Sequence, residues 1–172
     1  GRVTIDQAAS LFYFEKKGII QSLIHDLKYR GNKELSHYLG EWLGGTLQEA
    51  GWQSRIDVVV PVPLHRQRLR DRGYNQVAGF GKAIAKHLAA EYNDSFLQRK
   101  SSSKTQVFKN RFARTEVVQN HFYTQSSSEL KTQSVLLVDD LVTTGATLEA
   151  CCLALQEAGV KSLNIATMAI TK

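Results

Sequence analysis

Cysteine is almost absent: two residues, Cys151 and Cys152, stand side by side in 172. Neighbours on a helix point about 100° apart, so this pair neither bridges comfortably nor forms a metal site by itself. Two small buried thiols in a reducing cytoplasm are the expected state. Proline is as scarce, with Pro61 and Pro63 close together and none elsewhere. No apolar run approaches the length of a membrane span, and no charged-then-apolar leader opens the chain, so a cytoplasmic protein without membrane association is expected. The chain starts at Gly1 without a methionine, and an upstream segment is expected to have preceded it. Two nucleotide-binding signatures are missing as well: the glycine, lysine and serine or threonine spacing of a Walker loop, and the G-x-G-x-x-G of dinucleotide folds.

What is present describes an ordinary globular chain, 42% hydrophobic and 22% charged, long enough for one domain with a proper core. Net charge is +6 and the sequence pI about 9.4. That balance suits an anionic ligand, from pyrophosphate to nucleic acid, without choosing between them.

The most informative stretch runs from Val135 to Leu148, VLLVDDLVTTGATL. Val135 to Val138 has the length and β-branched content of a strand buried on both faces, and it ends in Asp139 and Asp140, which should make its carboxyl end polar and exposed. Thr143, Thr144, Gly145, Ala146 and Thr147 then precede a helix-period pattern of Leu148, Cys151, Cys152 and Leu155. Free amides at a helix start, a glycine permitting close approach and threonine hydroxyls together make an anion cradle. Carboxylates repel phosphate, so the two acids suit diol hydroxyls or a hydrated magnesium ion instead. A sugar phosphate satisfies both halves. The plainer alternative is a buried strand followed by a capping turn, for which one such residue would suffice where this stretch supplies five.

The first fifty residues read as helical. Ile19, Ile20, Leu23, Ile24 and Leu27 form one apolar stripe, Gly31-Asn32 breaks it, and Leu35, Leu39, Leu43 and Leu47 form a second, weakened at Gly44 and Gly45. Lys28, in the last turn of the first helix, reads as a partner of the helix dipole ahead of a ligand contact. Asp57 to Val62 is the next buried strand, closed by the two prolines. Beyond it come His65, Arg66, Arg68, Arg70 and Arg72, then Gly73-Tyr74-Asn75-Gln76 opening a helix with Val77, Phe80, Ile84 and Leu88. Cations just past a strand's carboxyl end lie on the edge where α/β sheets bind ligands, although a solvated arginine face is the alternative. Phe96 to Gln98 reads as a short strand, Arg99 to Arg114 as a mobile loop too long for a plain linker, and Ser162 to Ile170 as a last strand after a stop at Gly159. Strands near 57, 96, 135 and 162 alternating with helices predict an α/β fold with a mainly parallel sheet. The expected organisation is a single domain over 1–172, with a helical N-terminal hood over 1–52 and an α/β core over 53–172.

The acid pair running into a Thr/Gly-rich turn resembles the binding loop of the type I phosphoribosyltransferases. The run PVPLHRQRLRDRGYNQ, preceded by HDLKYRG, is similar to the ComF/GntX family of that superfamily, and the likeness extends over nearly the whole chain. The resemblance implies that Asp139 and Asp140 hold the ribose hydroxyls of 5-phosphoribosyl 1-pyrophosphate while Leu141, Val142, Thr143, Thr144, Gly145, Ala146 and Thr147 wrap its 5-phosphate. It implies a pyrophosphate grip at Val62, Pro63, Leu64 and His65, with Arg66, Arg70 or Arg72 neutralising charge, and a closing loop in which Lys104, Thr105, Gln106 and Arg111, with Asn120 beyond them, match the family pattern. Magnesium is expected to arrive with the pyrophosphate. The family commonly carries a cysteine-rich zinc-binding segment ahead of the catalytic part; this chain has no such cysteines, and no metal ligands are assigned. The implied reaction attaches a nitrogen nucleophile to C1 of the phosphoribosyl group and expels pyrophosphate. The alternative is a protein that keeps the pocket without turnover, either as a sensor or in DNA uptake, with single-stranded DNA or a helicase as partner and Trp42, Trp52, Tyr74 and Tyr92 recruited to it. Neither the acceptor nor the oligomeric state has a sequence signature.

Overall fold

The computed structural model describes residues 3–100, 121–125 and 127–172. Lys104, Thr105, Gln106, Arg111 and Asn120 lie outside the described residues.

The chain opens with a strand, β1 (Gln7–Phe14), where the sequence predicts helix. QAASLFYF shows no clean alternation because β1 is the edge of the sheet and most of its residues are half-buried. Its partner is the last strand of the chain, in parallel register, with Gln7 opposite Asn164 and Tyr13 opposite Ile170. The N-terminal fifty residues are therefore not wholly helical, and they extend the core sheet instead of standing apart from it.

Two helices follow. The apolar stripe of α1 (Ile19–Tyr29) buries Ile24 and Leu27. Gly31 turns the chain at φ 69°, and the Asn32 side chain caps α2 (Lys33–Glu49) by accepting the Leu35 amide at 3.0 Å. Helix α2 runs unbroken through its glycines because they are contact points. A Cβ at Gly40 would meet the Phe80 carbonyl oxygen at 2.5 Å, and one at Gly44 would meet His87 at 2.8 Å.

Strand β2 (Val58–Pro61) is wholly buried. Next come a short basic helix, α3 (Arg66–Arg72), then α4 (Ala78–Leu88), which lies against α2, and the two-residue strand β3 (Glu91–Tyr92). Strands β4 (Leu97–Arg99) and β5 (Phe122–Thr124) form a separate antiparallel pair. One turn of helix, α5 (Ser127–Leu130), leads into β6 (Ser134–Val142), α6 (Ala146–Glu157) and β7 (Ser162–Thr171).

The main sheet has the order β1-β7-β6-β2-β3 and is parallel throughout. Side chains alternate along β6, so Leu136 and Val138 join the apolar cluster under α1, α2 and α4, while Val135 and Leu137 join the one under α6, β4 and β5. Both faces are covered, as the continuous apolar strands require. Among the described residues, no helix is long and apolar enough to cross a membrane.

Candidate functional site at the carboxyl edge of the sheet

Strand β6 does not stop at the acids. It runs on to Val142 because β7 continues beside it, pairing Asp139 with Thr167, Leu141 with Ala169 and Val142 with Ile170. Leu141 and Val142, expected in the phosphate loop, are thus strand residues. The same continuity sends the two carboxylates to opposite faces.

Asp140 points into the α1/α4 layer and is 5% exposed, where sequence reasoning expects exposure. Its burial is compensated by partners. Lys28 Nζ lies 3.0 Å from Oδ2, and Gln76 Nε2 donates to the same oxygen at 2.7 Å. Gln76, also buried, accepts from an Arg72 guanidinium N–H at 2.8 Å. A polar chain Lys28–Asp140–Gln76–Arg72 therefore links the end of α1, the end of β6 and the turn between α3 and α4. The Tyr74 hydroxyl braces it by donating to the Leu27 carbonyl at 2.6 Å.

Asp139 faces the α6 layer and is half-buried. Its Oδ1 accepts the Asp140 amide at 2.8 Å. Burial first, and then repulsion from Asp140, push its carboxyl up to about 7, against the pull of that hydrogen bond and of Lys28.

The threonine turn is open. Thr143, Thr144, Ala146 and Thr147 are exposed, and Gly145 makes the turn at φ 76°, a conformation that costs other residues strain. Among the described residues no side chain caps α6. The first helical bond beyond the turn runs from the Glu149 amide to the Gly145 carbonyl at 2.8 Å, and Ala146 N–H has only a 3.5 Å contact to Thr144 Oγ1. Among the described residues nothing accepts the Thr144, Gly145 and Thr147 amides. They lie at the positive end of a 12-residue helix, a place where a phosphate dianion is favoured.

The residues expected to grip pyrophosphate follow β2 on the same edge. The Val62 amide still bonds to the Val138 carbonyl at 2.9 Å, and Asn75 Nδ2 donates to the Val62 carbonyl at 3.1 Å. Pro63, Leu64 and His65 are half-buried. His65 caps α3, its Nδ1 accepting the Gln67 amide at 3.2 Å. The candidate arginines separate: Arg66 is exposed, Arg70 is exposed and donates to Gln67 at 2.9 Å, and Arg72 belongs to the Asp140 chain.

Lys28 stands in the last turn of α1, as its sequence position suggests, but its ammonium also reaches Asp140, a partner the sequence does not show. Gln76 was visible only as part of a helix opening. The signal for both was there in HDLKYRG and GYNQ, two polar motifs with no local role. Of the other histidines, His87 ties α4 to Gln48 and Glu41 of α2 at 3.0 and 3.1 Å, whereas His25 and His37 are exposed. Burial raises both thiols, that of Cys152 up to about 12, which leaves them inert. Among the described residues no three His, Cys, Asp or Glu gather in a way that could hold a metal ion.

Comparison with known proteins bears on this arrangement. Residues 78–171 match the phosphoribosyl transferase domain family, a span holding α4, the acid pair and the threonine turn. Competence protein F of Haemophilus influenzae is 29% identical over 63% of this chain and 48% of its own length. Competence protein ComFC of Streptococcus pneumoniae is 36% identical over 61% of this chain and 44% of its own. The DNA utilization protein YhgH of Escherichia coli K12 is 25% identical over 85% of this chain and 65% of its own. The chain thus spans about half to two thirds of these relatives. Among solved structures, the glutamine phosphoribosylpyrophosphate amidotransferase of Bacillus subtilis superposes with a TM-score of 0.53 at 19% identity, covering 76% of this chain and 26% of that one, which is a likeness of fold. With the family match reaching over more than half the sequence and the competence-protein likeness extending it toward the N-terminus, the chain belongs to the phosphoribosyl transferase domain family, in its ComF-like branch.

Proposed function

We propose that this protein binds 5-phosphoribosyl 1-pyrophosphate with its magnesium ion and transfers the phosphoribosyl group to a nitrogen nucleophile, releasing pyrophosphate. The observation that carries the reading is the open set of amides at Thr144, Gly145 and Thr147, placed directly after an acid pair at the carboxyl edge of a parallel sheet. The 5-phosphate occupies the turn, and the ribose hydroxyls donate to Asp139 and Asp140. In the reaction the bond from C1 to the pyrophosphate oxygen breaks and a bond from C1 to nitrogen forms. Positive charge develops on the sugar and negative charge on the leaving group. The carboxylates beside the ring favour the first, while magnesium stabilises the second with Arg66 and Arg70, exposed arginines of α3 outside the Asp140 chain. The part proposed for Lys104, Thr105, Gln106 and Arg111 at the pyrophosphate rests on family likeness alone. A cytoplasmic location belongs to the same proposal, supported by the two free, buried thiols.

A second reading draws on the relatives' names, competence and DNA utilization protein, and on the hold that Lys28 and Gln76 keep on Asp140. In it the pocket binds the same ligand without turnover and serves DNA handling. Stacking of bases on the four aromatics is not part of it, because Trp52 is buried in the core.

One assay separates the two: pyrophosphate release from phosphoribosyl pyrophosphate and magnesium, against a panel of bases, amines and ammonia. Acceptor-dependent release that is lost in Asp140→Asn is the expected result. Tight binding without release under any acceptor supports the second reading, and binding of single-stranded DNA that falls steeply with salt supports a nucleic-acid role. Absence of binding to phosphoribosyl pyrophosphate and to ribose 5-phosphate overturns both pocket readings.

A further inference from the structure

A second feature of the same edge is a cleft of ≈ 550 Å³ between the end of α1 and the second half of α3. Lys28, Arg68 and Arg72 line it against one acid, Asp71, and the rings of Tyr29 and Tyr74 complete its walls. Val62 to Arg66, the segment proposed for pyrophosphate, does not line it. The cleft therefore lies beside the leaving-group segment while sharing Lys28 and Arg72 with the chain that ends on Asp140.

Its cations are only partly engaged. Lys28 is held by Asp140, Arg72 bonds to the neutral side chain of Gln76, and Arg72 also lies 5.4 Å over the Tyr29 ring. Among the described residues no carboxylate is within ion-pair distance of Arg68 or Arg72. With Lys28 matched by Asp140, two further cations, Arg68 and Arg72, face the single acid Asp71, which leaves an excess positive charge in a concave, ring-walled space; both are guanidinium groups, whose planar forks match a carboxylate.

Resting on the phosphoribosyl-transfer reading, we propose that this cleft takes the acceptor, and that the acceptor is a small planar nitrogen compound carrying a carboxylate. The carboxylate lies between Arg68 and Arg72 and competes with Asp140 for Lys28. Binding of the acceptor thus loosens the hold on Asp140 and makes that carboxylate available to the ribose hydroxyls. Acceptor occupancy and donor positioning are coupled through one ammonium group.

The test uses pyridine-3-carboxylate and pyridine-3-carboxamide, which match in shape and differ in charge, titrated into the full chain by calorimetry with and without ribose 5-phosphate. The carboxylate is expected to bind at least about tenfold tighter than the carboxamide. Arg68→Gln, on an exposed position of α3, is expected to weaken the carboxylate roughly three- to tenfold while leaving the carboxamide and ribose 5-phosphate unaffected. Ribose 5-phosphate and the carboxylate are expected to strengthen each other in the parent chain, an effect that Lys28→Gln removes. Equal affinity for the two pyridines, or indifference to Arg68→Gln, overturns the proposal. Binding of inorganic pyrophosphate that depends on Arg68 while the carboxylate fails to bind overturns it too, by making the cleft the leaving-group site. Failure of ribose 5-phosphate to bind the parent chain is a separate result: it removes the transferase reading and with it the acceptor role, whatever the pyridines do.

Discussion

The two layers that cover the sheet meet the same edge on different terms. On the α1/α2/α4 side the packing is tight and the polar groups are matched: glycines let α2 approach α4, and Asp140 is closed in by Lys28 and Gln76. On the α6 side the helix sits on buried cysteines and leucines, but among the described residues its N-terminus is uncapped, its amides are open and Asp139 makes no ion pair. Consecutive carboxylates thus experience opposite environments because strand alternation assigns them to different layers. One layer has a fixed, matched geometry; the other, among the described residues, leaves backbone amides and a carboxylate without such partners.

That contrast can be broken most severely at the helix contact. Gly40→Ala sets a methyl group against the Phe80 carbonyl, and a loss of about 3 kcal/mol in urea denaturation is expected; a change under 0.5 kcal/mol would show that α2 is not held by close approach. Next in size is Lys28→Met, which strands Asp140 without its cation. Because the lysine side chain is 23% exposed, the expected cost is about 2 kcal/mol, below that of a fully buried pair. Adding Asp140→Asn to it should return most of that loss.

The α6 side predicts a dependence on pH. Asp139 binds its proton more tightly in the folded chain than in the unfolded one, so its contribution favours folding at low pH and is lost as pH rises from the ordinary carboxylate range through about 7. Asp139→Asn should therefore be more stable than the parent at pH 8 by about 1–2 kcal/mol and equal to it near pH 4. The same titration sharpens ligand binding, because a protonated Asp139 offers less to a ribose hydroxyl: affinity for phosphoribosyl pyrophosphate should rise between pH 6 and 8 in the parent by more than it does in Asp139→Asn. The smallest effect is expected at Gly45, where a Cβ has room, with His87 4.0 Å away. There Gly45→Ala should add about 0.5 kcal/mol, in contrast to its neighbours Gly40 and Gly44.

What the sequence made legible follows from where each signal is stored. DVVVPV, VLLV and SLNIATMAI announce buried parallel strands because burial on both faces demands continuous apolar runs. The threonine turn is local, and its residues carry their own meaning. Strand β1 was missed because an edge strand with half-buried residues has no strong pattern, and its partner β7 is at the far end of the chain. The burial of Asp140 was missed for a similar reason. Adjacent acids at a strand end look exposed until Lys28 and Gln76, each distant in sequence, arrive to neutralise one of them. The basic run gave the right edge but did not show that Arg72 turns inward while Arg66 and Arg70 stay in solvent.

The pairing of β1 with β7 joins two segments far apart in sequence. Gln7 to Phe14 has its hydrogen-bonding partner in Asn164 to Thr171, so the long loop between them must close before β1 gains a single ladder bond. Helix α1 follows β1 directly and carries Lys28, so the ion pair with Asp140 is one more contact of long sequence separation, the kind whose closure entropy sets the pace of folding.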